Sequence, residues 1–112
     1  MRIALAQTRP VRGDIAANIA AHVRIIGTAA ERHTDFLVFP ELSLTGYEPQ
    51  LARDLATDPD DPRLEVFQRL SDRNKMIIGV GLPTPASPRP RITLLLFSPD
   101  AARRAYSKQP TA

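Results

Sequence analysis

The run Asp35-Phe36-Leu37-Val38-Phe39-Pro40-Glu41-Leu42-Ser43-Leu44-Thr45-Gly46-Tyr47 organises the reading of the whole chain. Residues 35–39 form a short apolar stretch of strand type. Pro40 has no N–H to give to a strand ladder and ends it. Glu41 follows at once, so a carboxylate stands at the mouth of a strand. That position suits a general base held at the rim of a pocket, where partial desolvation raises a carboxyl pKa toward the range useful for proton abstraction. The same side chain could instead cap a turn or pair with an arginine.

Working outward, residues 2–8 are strand-like, and Pro10 and Gly13 mark the exit. Asp14 is a good N-cap. From there Ile15, Ile19, Val23, Ile26 and Ala30 recur in steps of four and three, which predicts a helix of roughly five turns with one aliphatic stripe. Gly27 lies inside it at a cost of about 1 kcal/mol relative to Ala, so either the packing there is close or the helix is weak. Strand, long helix, strand implies a right-handed crossover and parallel pairing. Residues 40–61 are irregular, with a short helix around 51–56, and a loop that long in a compact domain is usually functional.

Asp61-Pro62 supplies an N-cap and an N1 proline for a second helix, whose apolar face is Leu64, Phe67 and Leu70. Residues 76–82 read as a buried strand, and 83–90, with four prolines, as a loop. Residues 92–97 form a strand, Ser98-Pro99-Asp100 turns, and 103–108 pairs back as a hairpin. The sum, β-α-β-α-β-β-β, is an α/β domain with one mixed sheet and two main helices on one face. The apolar strands require cover on the other face too, and no helix is left to supply it.

Composition narrows the function. A chain of 112 residues is one domain or part of one, and 43% hydrophobic with 24% charged residues reads as soluble and globular. Thirteen of the fifteen basic residues are arginines scattered along the chain, and the net charge is only +3, so the dense stripe of a nucleic-acid binder is missing. Arg89, Arg91, Arg103 and Arg104 would converge on one patch if two strands pair. No apolar run approaches the ~18 residues of a membrane span, the N-terminus is too short for a signal segment, and the default compartment is cytoplasmic. There is no cysteine, hence no disulfide, thiolate metal site or thiol nucleophile within these residues.

The remaining candidates are few. Lys108 could stabilise a forming oxyanion and hold a neighbouring carboxylate ionised, or be a solvated charge near a chain end. Ser43, Tyr47 and Glu48 share the loop after Glu41. Tyr47 is expected to be packed and Glu48 exposed. Ser43 and Ser107 make poor nucleophiles because neither has a visible histidine base. His22, off the main helical stripe, and His33, at the helix end, have no metal-ligand company and read as structural. Asp58, Asp60 and Asp61 lack the glycine and distal glutamate of a calcium loop, and no Gly-rich phosphate loop is present.

Taken in order, Ile3-Ala4-Leu5-Ala6-Gln7, Gly13-Asp14, Asn18, Phe39-Pro40-Glu41-Leu42, Leu44-Thr45-Gly46-Tyr47, Gly79-Val80-Gly81-Leu82-Pro83 and Tyr106-Ser107-Lys108 resemble the N-terminal part of the nitrilase superfamily, the carbon–nitrogen hydrolases. The resemblance implies part of a four-layer αββα sandwich. It implies hydrolysis of a non-peptide amide, carbamoyl or nitrile bond by a Glu-Lys-Cys set, with Glu41 as the base and Lys108 as the oxyanion-stabilising lysine. A cysteine would attack the substrate carbon and form a thioester or thioimidate that water resolves. No metal or organic cofactor is implied. The partners implied are a small amide substrate and, in the complete enzyme, further copies of itself, with no nucleic acid and no membrane.

Three departures bear on this. The cysteine segment would lie beyond Ala112. Gln109-Pro110-Thr111 follow Lys108 where the family usually has a large residue and then an apolar one. Ile92 stands where many members carry asparagine. The expectation is therefore an N-terminal portion of a carbon–nitrogen hydrolase, inactive alone, with Lys108 close enough to the terminus for fraying to loosen its aim. An amide or carbamoyl substrate is favoured over a nitrile, because the Leu44–Tyr47 loop resembles amidase-like members. A non-catalytic interaction or self-association module is the alternative.

Overall fold

The computed structural model describes residues 1–47 and 51–108. Among these residues five strands lie in sequence order: β1 (Ile3–Leu5), β2 (Phe36–Val38), β3 (Ile77–Thr84), β4 (Arg91–Phe97) and β5 (Arg104–Lys108). The first three are mutually parallel, and β4 and β5 are added antiparallel. Helix α1 (Ile15–Glu31) forms the first crossover. A short helix α2 (Ala52–Leu55), a 3₁₀ turn at Pro62–Leu64 and helix α3 (Glu65–Asn74) form the second. The α/β class, the mixed sheet and the two main helices on one face are as the sequence predicts.

Local signals act as expected at both helix starts. Asp14 accepts a hydrogen bond from the Ala17 amide at 3.0 Å, and Asp61 accepts one from the Arg63 amide at 2.8 Å. The Arg63 side-chain bond, with the Arg63 amide behind it, holds the Asp61 carboxyl below its usual range. Asp58 accepts from the Asp60 amide. The acidic run is thus a turn and a cap.

The core lies between the helices and one sheet face. Leu37, Ile78, Val80, Leu82, Leu95 and Phe97 point into it and meet Ile26, Leu64 and Phe67. Each such side chain contributes about 1.5–3 kcal/mol relative to exposure. The aliphatic stripe does face the core, with Ile26 buried and Ile19 and Ala30 packed against it partly exposed, but it is not the deepest line of α1. That line runs through Asn18, His22, Ile26 and Ala29, because two polar side chains have partners inside. Gly27 faces open space, so close packing is not the reason for a glycine there.

Two further expectations are corrected. β3 continues through Pro83 to Thr84 instead of stopping at Leu82. Gly81 and Pro83 turn the same backbone edge away from β4, where β2 has already ended and the carbonyl of Pro83 accepts from the Thr57 amide at 2.9 Å. A missing N–H is tolerated there because no strand pairs with that edge beyond Gly79. The arginines do not converge either. Arg91 pairs with Thr84 at one end of β4, whereas Arg104 pairs with Leu96 at the other. Arg103 lies over the Phe97 ring and bonds Glu65.

The opposite sheet face carries Phe36, Val38, Ile77, Leu94 and Leu96, all partly exposed, and Leu5, 79% exposed. Among the described residues nothing covers it, as the sequence implies. Among the described residues no helix is long and apolar enough to cross a membrane.

Candidate active site

The chain leaves β2 through Phe39 and turns sharply at 40–46. The Ser43 amide donates to the Pro40 carbonyl at 3.1 Å and the Gly46 amide to the Leu42 carbonyl at 2.8 Å. Leu42 adopts φ +56°, a conformation a bulky residue takes only when its surroundings enforce it. The elbow lies flat on β3 at Gly81. A Cβ added there would stand 2.5 Å from the Leu42 nitrogen and 2.7 Å from the Pro40 oxygen. Both are backbone atoms with nowhere to move, so only glycine lets the elbow cross the strand. Leu42 through Gly46 are buried, and Glu41 projects from the turn.

β4 and β5 bring the second residue. Lys108 pairs with Ile92, so its side chain emerges on the uncovered face. Its Nζ lies 3.1 Å from Glu41 Oε2. Strand direction makes this possible. Two antiparallel steps return β5 to the direction of β2, so both C-terminal ends lie at one edge of the sheet. Neighbouring strands stand about 4.8 Å apart, and the elbow's step onto β3 brings Glu41 within reach. The pair sits at an open cleft of about 420 Å³ lined by Val38, Gly81, Leu94, Tyr106 and others.

Glu41 and Lys108 are thus brought together, although the desolvation expected around Glu41 is absent: the two side chains are 55% and 64% exposed. An exposed pair is worth no more than about 1 kcal/mol, so the backbone supports on each side hold the geometry. On the lysine side, the Thr93 hydroxyl lies 2.7 Å from that of Thr84 and 2.8 Å from that of Ser107. This ladder of hydroxyls fixes the β5 register. Lys108 is the last residue of a paired strand.

The elbow side holds what the sequence reading missed. Ser43 does have a histidine beside it: His22 Nε2 lies 2.9 Å from Ser43 Oγ, and both residues are 1% exposed. His22, far from lying off the helical stripe, is at the centre of the buried face, stacked on Phe39 with centroids 4.0 Å apart. Burial pushes its pKa from 6.5 down to about 4, against the opposing effect of the Asn18 carbonyl, so the ring is neutral. Ser43 Oγ also accepts from the Gly81 amide at 3.1 Å, which makes this serine a strut, walled off from any substrate.

Tyr47, expected to be packed, is 75% exposed, and Glu48 lies outside the described residues. His33 follows the C-cap of helix α1, Arg32, at φ +57°. Among the described residues, no three His, Cys, Asp or Glu side chains gather as a metal set.

A sequence profile of the carbon-nitrogen hydrolase family matches residues 2–109. The chain belongs to the carbon–nitrogen hydrolase family. It is 34% identical over 82 residues to a glutamine-dependent NAD(+) synthetase of Acinetobacter baylyi, a match covering 71% of this chain and 15% of the synthetase. Its fold superposes on a CN-hydrolase superfamily protein from Xanthomonas campestris with a TM-score of 0.82 and 23% identity, covering 96% of this chain and 40% of that one. The NitN amidase of Nesterenkonia sp. AN1 gives 0.80 and 25%, with 96% and 44% covered. The chain therefore spans less than half the length of each of these three relatives.

Proposed function

We propose that these residues supply the base and the oxyanion-side cation of an amide-cleaving carbon–nitrogen hydrolase, and that the thiol nucleophile, which the 112 residues lack, comes from outside them. The observation carrying this reading is the 3.1 Å approach of Lys108 Nζ to Glu41 Oε2 at the rim of the cleft. Glu41 takes the thiol proton, and the thiolate adds to the amide carbon. Lys108 stabilises the oxyanion. Collapse breaks the C–N bond, and ammonia leaves with the proton returned by Glu41. Water, deprotonated by Glu41, then cleaves the thioester. The names of two relatives, an amidase and a glutamine-dependent synthetase, support a carboxamide over a nitrile.

Ammonia release from acetamide, acrylamide and L-glutamine tests it. The chain alone is expected to release none, and release abolished by Glu41→Gln would overturn the requirement for an added thiol. Grafted in place of the matching part of the NitN amidase, the chain is expected to support release that Glu41→Gln lowers by about 10²–10⁴ and Lys108→Met by about 10²–10³. Unchanged rates in a folded, active graft would remove both roles.

The uncovered apolar face, with Ile3, Leu5 and Tyr106 exposed, favours a second reading as a self-association module. Light scattering after size exclusion separates the two. A stable oligomer without ammonia release in the graft would favour the module, and a cooperative monomer would count against it.

A further inference from the structure

The elbow that carries Glu41 is poorly made for standing alone. Leu42 holds φ +56°, Pro40 donates no hydrogen bond, and the Glu41–Lys108 pair is too exposed to hold it. Two bonds tie the elbow to β3: the Leu44 amide donates to the Gly81 carbonyl at 2.9 Å, and the Gly81 amide donates to Ser43 Oγ at 3.1 Å. The second depends on what Ser43 does with its own proton. The acceptor beside it is His22 Nε2, at 2.9 Å.

For Nε2 to accept, the ring proton must sit on Nδ1. The Asn18 carbonyl, 2.7 Å from Nδ1, can only accept, so Nδ1 carries the proton and the tautomer is fixed. Stacking on Phe39 fixes the ring plane. Asn18 extends the same bracing, since its amide donates to the carbonyls of Val11 and Leu44 and its oxygen accepts from the Val11 amide. The chain of donors therefore runs one way, from Gly81 through Ser43 and His22 to the backbone of α1.

We propose that His22 and Ser43 are positioning residues for the Glu41 carboxylate, their hydrogen bond clamping the elbow across Gly81 and so setting where Glu41 points. An aliphatic residue at 22 would leave the buried Ser43 hydroxyl without its acceptor, free to rotate and withdraw from the Gly81 amide. The functional meaning of the clamp rests on Glu41 being the base. The clamp itself is read without turnover, so its failure and that of the catalytic reading are separable.

The test is nuclear magnetic resonance on the isotope-labelled 112-residue chain. In His22→Leu and Ser43→Ala variants that keep a cooperative melt, the cross-peak between Glu41 γ and Lys108 ε hydrogens should fall below half its intensity. The Gly81 amide should exchange at least tenfold faster while those of Val80 and Leu95 hold. His22→Gln, whose side-chain oxygen can accept from Ser43, should restore both to within about twofold. A contact and a Gly81 protection that persist in both folded variants would overturn the clamp. Should the variants unfold, the unsubstituted chain decides. An Nδ1-protonated His22 with Gly81 and Leu44 amides as protected as Leu95 supports the clamp. An Nε2-protonated ring, or exchange at the rate of an exposed turn, refutes it.

Discussion

Glu41 is delivered by a buried elbow, whereas Lys108 is delivered by an exposed edge strand. On the glutamate side every support is inside: Ser43, His22, Asn18 and a glycine that accepts backbone against backbone. On the lysine side all five residues of β5 are exposed. Their fixings are the hydroxyls of Thr93 and Ser107, and the turn at 98–101, where the Asp100 amide donates to Asp72 at 2.8 Å. That bond, seconded by Gln68, holds the Asp72 carboxyl below its usual range. One half of the pair is built like a core and the other like a rim, so the two halves should break differently.

The largest effect is expected from Gly81→Ala. The new Cβ meets two immovable backbone atoms, so the elbow must lift, at about 3 kcal/mol of stability in urea unfolding. The Glu41–Lys108 contact should be lost with it. A loss under about 1 kcal/mol would show that the elbow can lift from β3 at little cost.

Acid should unfasten the same half. The folded-state pKa of His22, about 4, lies below its ordinary 6.5, so the unfolded chain takes up the proton first as pH falls. The stabilisation is complete above about pH 6.5 and is lost progressively as pH falls through that window to about 4. It amounts to at most about 3 kcal/mol. Urea midpoints at pH 7 and 4.5 measure it, and His22→Gln should flatten the difference. A difference equal in both proteins would place its origin in other groups.

Ser107→Ala probes the rim. It removes one hydroxyl from the ladder and should cost about 1 kcal/mol. Amide exchange should rise in β5 and stay unchanged in the elbow. Gly27→Ala touches neither half. With open space at its Cβ, it should add up to about 1 kcal/mol of stability and leave the pair undisturbed, the reference against which the others are judged.

The fold was legible where local chemistry speaks. Asp14 and Asp61-Pro62 start helices, the apolar runs at 36–38 and 92–97 are strands, and the proline-rich stretch after Thr84 is a loop. The deepest line of α1 was legible only at Ile26, because apolar periodicity cannot register a polar residue that finds its partner inside, as Asn18 and His22 do. The Ser43–His22 pair joins two separate elements, and no spacing within either announces it. Gly81 did leave a trace: a glycine in a buried strand already signals close approach of another backbone. Glu41 and Lys108 were legible as residue types in a family pattern, but their exposure depends on what packs over the open face, which strand patterning does not specify.

The strand order has one more consequence. Glu41 and Lys108 meet only if three ladders, β2 with β3, β3 with β4 and β4 with β5, are all in step. A slip of one residue in β5 would turn the lysine to the opposite side of the sheet. The ammonium–carboxylate distance is therefore a single gauge of alignment across four strands, and a probe placed on those two side chains would report mis-threading anywhere between them.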